Sequence, residues 1–297
     1  MTDTNTLVDK VFFVKIVCRS FGNLRKAIVD MSSQPVDETR FSHKQKLLKS
    51  DELKAIASAY AGIKAAVYAK CLPYDKGIRA VPKANVEIVT NMLTEFETKT
   101  LPPLVDALLD VYEQQVEESK LALGPHFNPS LFPSREVMKS RFSFEWGFIN
   151  YGAPGSLKDI SPALFASEQA KHGAKLQDAT SVMLASMADG IKTVTDHLLD
   201  RLAPGVDGST KRLHKSAVDA IQEAVANFKT LNVLGNKDLE SAVSLLETMT
   251  QGVDVEKLRE NDGLRIDLSA KLAQVSAALT PLVEVKGRKF RDVEVVE

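Results

Sequence analysis

The chain has 297 residues, 44% of them hydrophobic, and 38 Lys and Arg offset 39 Asp and Glu to a formal net charge of −1. That much apolar material supports a sizeable core in one or two domains. The balanced charge excludes a global field that would draw nucleic acid or an anionic membrane to the molecule, so any electrostatic partner must be met by a local patch.

The two cysteines, Cys18 and Cys71, each lie in an apolar run. That placement suits buried free thiols in a reducing, cytoplasmic setting better than a disulfide framework or a zinc cage. The first ten residues are polar and acidic where an export signal needs a basic start and an apolar stretch, and no window approaches the ~18 apolar residues of a membrane span.

Along the chain, Val11 to Cys18 is rich in β-branched and aromatic residues and reads as a buried strand. Phe21 to Met31 reads as a short helix, followed by a Ser-Ser-Gln-Pro breaker and a basic run through His43, Lys44, Lys46 and Lys49. From Ser50, an N-cap ahead of Asp51 and Glu52, the positions Leu53, Ile56, Tyr60, Ile63 and Val67 recur by three and four. That spacing places them on one face of a helix over 51–71. Leu72 to Gly77 has turn chemistry, and Ile78 to Val81 reads as a small strand placed to pair with the N-terminal one.

A second helical pattern covers 83–121, through Val86, Val89, Leu93 and Phe96, and resumes after Pro102 and Pro103 with Leu104, Leu108 and Val111. The two prolines lack donors, so a kink or break is expected there. Asp106, Asp110, Glu113, Glu117 and Glu118 face a single lysine, Lys120, which makes either a solvated acidic face or an acidic docking surface. Residues 122–134 hold three prolines and read as loop, after which Ser134 caps a short helix. From Arg141 to Phe148 aromatic and polar residues alternate, as in a strand with its aromatic side to the core.

The C-terminal half is the most periodic. Ser161 as cap and Pro162 at the first helical position start a three-four rhythm through Phe165, Gln169, His172, Leu176, Met183, Met187 and Leu198 to Leu202. A helix of about 40 residues would be about 60 Å long and needs a partner along its length. Three more helices follow, marked by Leu213 to Phe228, Leu239 to Met249 and Leu258 to Leu279, with short connections that favour antiparallel neighbours. The expected fold is mainly α: long antiparallel coiled-coil-like helices over 161–285, a small α+β base containing a short sheet over 1–160, and a charged tail over 286–297.

No phosphate loop, dinucleotide fingerprint, HExxH, CxxC pair or nucleophile elbow occurs. Glu168 and His172 have the i, i+4 spacing that chelates a metal, but two ligands do not make a site. Asp196 and His197 are helix neighbours about 100° apart and do not work together. The sequence thus assigns no catalytic, cofactor or metal residue and points away from an enzyme. The Arg141 to Trp146 stretch reads either as core packing or as an aromatic–basic platform for single-stranded bases. Nucleic-acid contact, where it occurs, falls to Lys44, Lys46 and Lys49 and to the tail residues Arg288, Lys289 and Arg291. An enzymatic alternative would gather His126, Arg141, Glu145 and Tyr151 into one pocket.

The apolar N-terminal strand, Lys46-Leu47-Leu48-Lys49-Ser50-Asp51-Glu52-Leu53, Leu72-Pro73-Tyr74 with Gly77 and Val81-Pro82, and Arg141-Phe142-Ser143-Phe144 together resemble an uncharacterised phage and prophage family, that of domain of unknown function thirty-one-fifty. The likeness covers residues 5 to 205. It implies a viral or mobile-element protein of the host cytoplasm, with an AAA+ ATPase of the MoxR type as partner, and it carries over no catalytic residues. Together with the periodicity, it leads to the expectation of a non-enzymatic scaffold, oligomer subunit or adaptor that associates with itself or another protein. A nucleic-acid binder and an enzyme are the alternatives.

Overall fold

In the computed structural model, residues 7, 9–27, 43–150, 152–204, 211, 213–253 and 255–283 are described. Strand β1 (Val11–Arg19) pairs antiparallel with β5 (Ile78–Pro82), with Val11 opposite Pro82 and Phe13 opposite Ala80. β5 folds back on β4 (Leu72–Asp75) through a turn at Gly77, whose φ of +71° is a conformation glycine adopts without strain. With β6 (Ser143–Ile149) the sheet order is β4-β5-β1-β6. The segment 72–75, expected as turn, is therefore a strand. Its proline is tolerated because β4 lies at the sheet edge, where a missing N–H breaks no ladder.

The helix expected from Phe21 to Met31 is absent among the described residues. Leu24–Ala27 (β2) instead pairs antiparallel with the basic segment His43–Lys46 (β3) in a separate two-stranded ribbon. Here pairing with a distant segment overrides a weak local preference.

Helix α1 (Asp51–Tyr68) starts at Ser50, whose hydroxyl accepts from the Leu53 amide at 3.1 Å. Helix α2 (Val86–Glu95) continues through one π turn (Phe96–Thr100) into α3 (Leu101–Leu123). The π turn directly precedes Pro102 and Pro103. The wider turn spares the ring clash that would break a regular helix, so the expected break appears as a local change of pitch. Helix α4 (Arg135–Ser140) has Ser134 as its cap, accepting from the Val137 amide.

The C-terminal helices are α5 (Leu157–Ile160), α6 (Pro162–Leu202), α7 (Lys215–Leu231), α8 (Lys237–Thr250), α9 (Val255–Glu260) and α10 (Asp262–Val283). α6 is 41 residues long with Ser161 as its cap, as the sequence predicts. The last expected helix is divided at Asn261, whose side chain accepts from the Leu264 amide. Cross-helix bonds fix the directions. Arg265 reaches Leu202 while Ser276 reaches Asp196, so α6 and α10 are antiparallel. Gln222 reaches Thr250 while Lys229 reaches Glu247, so α7 and α8 are antiparallel too. The described residues are 70% helical, which makes the fold mainly α with a small antiparallel sheet. Among the described residues no helix is long and apolar enough to cross a membrane.

The described residues divide into two units that are not contiguous in sequence: 7–15, 68–89 and 148–283 in one, 16–67 and 90–147 in the other. The sequence reading sets its boundary at 160 instead. The inner face of the first strand and hairpin needs a cover, and α6 supplies it: Val11, Phe13, Leu72, Tyr74 and Ala80 share one core with Leu176, Met183, Ile191, Leu198, Leu272 and Leu279. The second unit has its own core, in which Tyr60, Phe96 and Phe144 form an aromatic cluster with centroids 4.7 to 6.4 Å apart.

Candidate functional site

The most unusual chemistry of the described chain is on the β2–β3 ribbon. Its register sets Lys26 directly opposite Lys44 and Leu24 opposite Lys46. Because side chains alternate along a strand, Leu24, Lys26, Lys44 and Lys46 share one face, and all four are exposed; Arg25 and Gln45, on the other, are half-buried. Like charges placed opposite one another destabilise a ladder. The mount of the ribbon is firm. The Asn23 side chain donates to the Leu48 carbonyl at 2.8 Å and accepts from the Leu48 amide at 2.7 Å, the Leu47 amide donates to the Asn23 carbonyl at 2.9 Å, and Leu47 and Leu48 are buried.

Exposed Lys49 follows the ribbon and, with Lys46, Leu47, Gln115, Glu118 and Ala122, lines an open groove of roughly 420 Å³. The neighbouring carboxylates are engaged: Asp51 is paired with Lys54 at 2.6 Å, and Glu52 accepts from Ser50 at 2.8 Å and from Gln115 at 3.0 Å. Hydrogen bonds from its own backbone amide and from Ser50 hold Glu52 below its ordinary range. The tail residues Arg288, Lys289 and Arg291 lie outside the described residues, so the structure brings together only the Lys44, Lys46 and Lys49 half of the basic set. It adds Arg25 and Lys26, which the sequence hides because β2 is expected as helix there.

Among the described residues of the enzymatic alternative, no hydrogen bond or ion pair joins His126, Arg141 and Glu145. Glu145 is held by Arg19 at 2.7 Å and by Ser143 at 3.2 Å, Arg141 is exposed at the end of α4, His126 is in the short 3-10 turn Gly124–His126, and Tyr151 lies outside the described residues. Glu168 is bonded to Lys171 at 2.6 Å. No group of three metal-ligating side chains forms among the described residues.

A Ser–Lys–Asp constellation does exist in the helical unit. Lys192 donates to Asp196 at 2.5 Å and to Ser276 at 3.1 Å, and Ser276 donates to Asp196 at 2.5 Å. Burial raises the Asp196 pKa, but the bonds from Lys192 and Ser276 and the ammonium charge outweigh it, leaving the carboxyl below its ordinary range. Ser276 of α10 donates to Asp196 and accepts from Lys192, both on α6, so the trio clamps α6 to α10. Sequence reading misses it because 80 residues separate Ser276 from Asp196.

The aromatic strand settles between its two readings. Core packing accounts for Phe142 and Phe144, which are buried, whereas half-buried Trp146 donates from its ring nitrogen to Glu97 at 2.9 Å. Asp106 and Asp110 on α3 pair with Lys139 and Arg135, which uses part of the acidic face internally. Cys71 is buried, its thiol pushed up to about 12 by burial, and half-buried Cys18 is shifted upward for the same reason; both are free. Neither is an activated thiol. Comparison with family models, with curated proteins and with solved structures finds no match to this chain.

Proposed function

We propose that this protein is a non-enzymatic helical assembly protein, a scaffold, oligomer subunit or adaptor, whose long antiparallel helices pack in coiled-coil fashion and offer a surface to a second protein. The observation that carries this reading is the first third of α6. No side chain from Pro162 to Lys175 is buried, although the helix runs on without interruption into its packed part at Leu176. Leu164 is exposed and Phe165 half-buried on this stretch, and Ile160 just before it is 79% exposed. A helical segment that buries nothing is marginal in water by itself, and apolar side chains along it gain from a partner. The likeness to the phage and prophage family supports a phage-encoded protein of the host cytoplasm whose partner is an AAA+ ATPase.

Light scattering on the purified chain, coupled to a search for copurifying proteins, tests the reading. The expected result is a mass above that of one chain, or a stoichiometric partner, lost in an Ile160→Ser/Leu164→Ser variant that keeps its helix content. A strict monomer without a partner overturns it.

A further inference from the structure

We infer that the β2–β3 ribbon is a nucleic-acid interface that grips the sugar–phosphate backbone of a duplex through Lys26, Lys44 and Lys46, with Lys49 beside them. This goes beyond the assembly reading and does not depend on it.

Three observations carry the inference. The first is an excess of positive charge: the described residues 16–27 and 43–50 contain Arg19, Arg25, Lys26, Lys44, Lys46 and Lys49 and neither Asp nor Glu, and Asp51, the carboxylate whose charge Lys46 and Lys49 feel, is itself paired with Lys54. Of these, Arg19 is spent on Glu145 and Arg25 lies over the Phe21 ring, whereas the four lysines are exposed and enter no ion pair among the described residues. The joining residues 28–42, with Asp30, Asp37, Glu38 and Arg40, lie outside the described residues. At physiological salt charges act over about 8 Å, so this patch is felt locally although the whole chain is nearly neutral.

The second is arrangement. Lys26 and Lys44 are direct cross-strand partners, about 5 Å apart at the backbone, and Lys46 stands two residues, about 7 Å, along the same face. Three ammonium groups so close repel one another, and a ribbon of four residues per strand has little stability to spare. A row of phosphates on the exposed face converts the repulsion into attraction. A two-stranded ribbon also has the width that a DNA major groove of about 12 Å admits.

The third is what the face lacks. Its only apolar member among the described residues is Leu24, and it has no aromatic ring. Stacking on single-stranded bases needs aromatic platforms, and insertion at a membrane surface needs bulky apolar anchors. With neither, and with no amide or guanidinium on the lysine face to read base edges, contact is with backbone phosphates and independent of sequence.

The test is a fluorescence-anisotropy titration of the full chain against a 25-base-pair DNA duplex, a single strand of equal length, and vesicles of phosphatidylcholine with 30% phosphatidylserine, from 25 to 200 mM NaCl. Four phosphate contacts predict a log–log salt slope of about −3.6 for the duplex, and K26Q/K44Q/K46Q should remove about 2.7 of it and weaken binding at 50 mM salt by at least about tenfold. K99Q/K120Q, two exposed lysines on other helices, should leave the slope unchanged, and circular dichroism should show both variants folded. Absence of duplex binding at 25 mM salt, an unchanged slope in the triple variant, or tighter binding to the single strand or to the vesicles would each overturn the assignment.

Discussion

The two parts of α6 are one continuous helix with different surroundings, and the second is much the richer in large apolar side chains. From Leu176 to Leu202 the helix buries Leu176, Ala179, Met183, Met187, Ala188, Ile191, Thr195, Leu198 and Leu202, while from Pro162 to Lys175 it buries nothing. The first stretch is helical because its neighbour is: the packed part has already met the cost of nucleation, and each further residue needs only propagation. Ser161 as cap, Pro162 in the first turn and alanines at 163, 166, 170 and 174 make that propagation favourable. Local signals therefore predict a helix in both parts, while burial follows the large apolar side chains, which are dense only from Leu176 onward.

The comparison is most exposed to core truncation. Leu198→Ala removes a fully buried side chain between helices and should cost about 2–5 kcal/mol of unfolding free energy, whereas Leu164→Ala should stay within about 0.5 kcal/mol. Urea unfolding monitored by circular dichroism measures both at protein concentrations low enough to keep the chain monomeric. A Leu164→Ala penalty as large as that of Leu198→Ala would mean that the first turns are covered within the monomer, removing the observation on which the assembly reading stands.

Next in size is the end of the packed part. Arg265 of α10, only 4% exposed, donates from one guanidinium nitrogen to the carbonyls of Arg201 at 3.0 Å, Leu202 at 3.2 Å and Lys211 at 3.4 Å. The last carbonyls of a helix have no intrahelical donor, and the negative end of the helix dipole favours a cation there. Arg265→Ala leaves these acceptors buried, but it also frees the other terminal nitrogen of the guanidinium, which is buried without a partner. The two effects oppose each other, so the expected loss is about 2 kcal/mol, at the lower end for a buried charged group. Thermal unfolding reads it; a neutral result would show that water replaces the guanidinium and that the end of α6 is held by apolar packing alone.

What could be read from sequence follows the same division between local and distant causes. The caps at Ser50, Ser134 and Ser161 and the span of α6 are local, and they agree with the structure to within a residue or two. The pairing of Ile78–Pro82 with the first strand is readable from the β-branched residues in both, although the ribbon, α1 and β4 lie between them. The ribbon was not, since Leu24–Ala27 owes its strand to His43–Lys46 and to the Asn23 clamp, neither of which has a periodic signature. For the same reason half of the candidate site, Lys44, Lys46 and Lys49, was visible as a basic run, while Lys26 joins it only through register. Arg265 and the Lys192–Asp196–Ser276 clamp gave no sign, because a polar residue on a helix is silent about whether it meets a carbonyl or water.

The smallest effect separates the two parts of α6 by pH. Asp196 in the packed part and Glu168 in the first stretch both have pKa values below their ordinary ranges. Asp196 is lowered against the opposing push of burial by Lys192 and Ser276, and Glu168 by the hydrogen bond and charge of Lys171. A carboxyl depressed in the folded state lends stability that is present above its unfolded pKa, about 4, and is lost as pH falls through the lower folded value. Asp196 is nevertheless partly open to water, which screens the pair to about 0.5 kcal/mol. Asp196→Asn should therefore flatten the decline in stability below pH 4 by a small amount, and Glu168→Gln should alter it less, because the Glu168–Lys171 pair lies within one helix and is screened by water. If Glu168→Gln alters the acid limb as much as Asp196→Asn does, the carboxyl has a neighbour beyond Lys171 and His172, and the first turns of α6 are less solitary in solution than their burial implies.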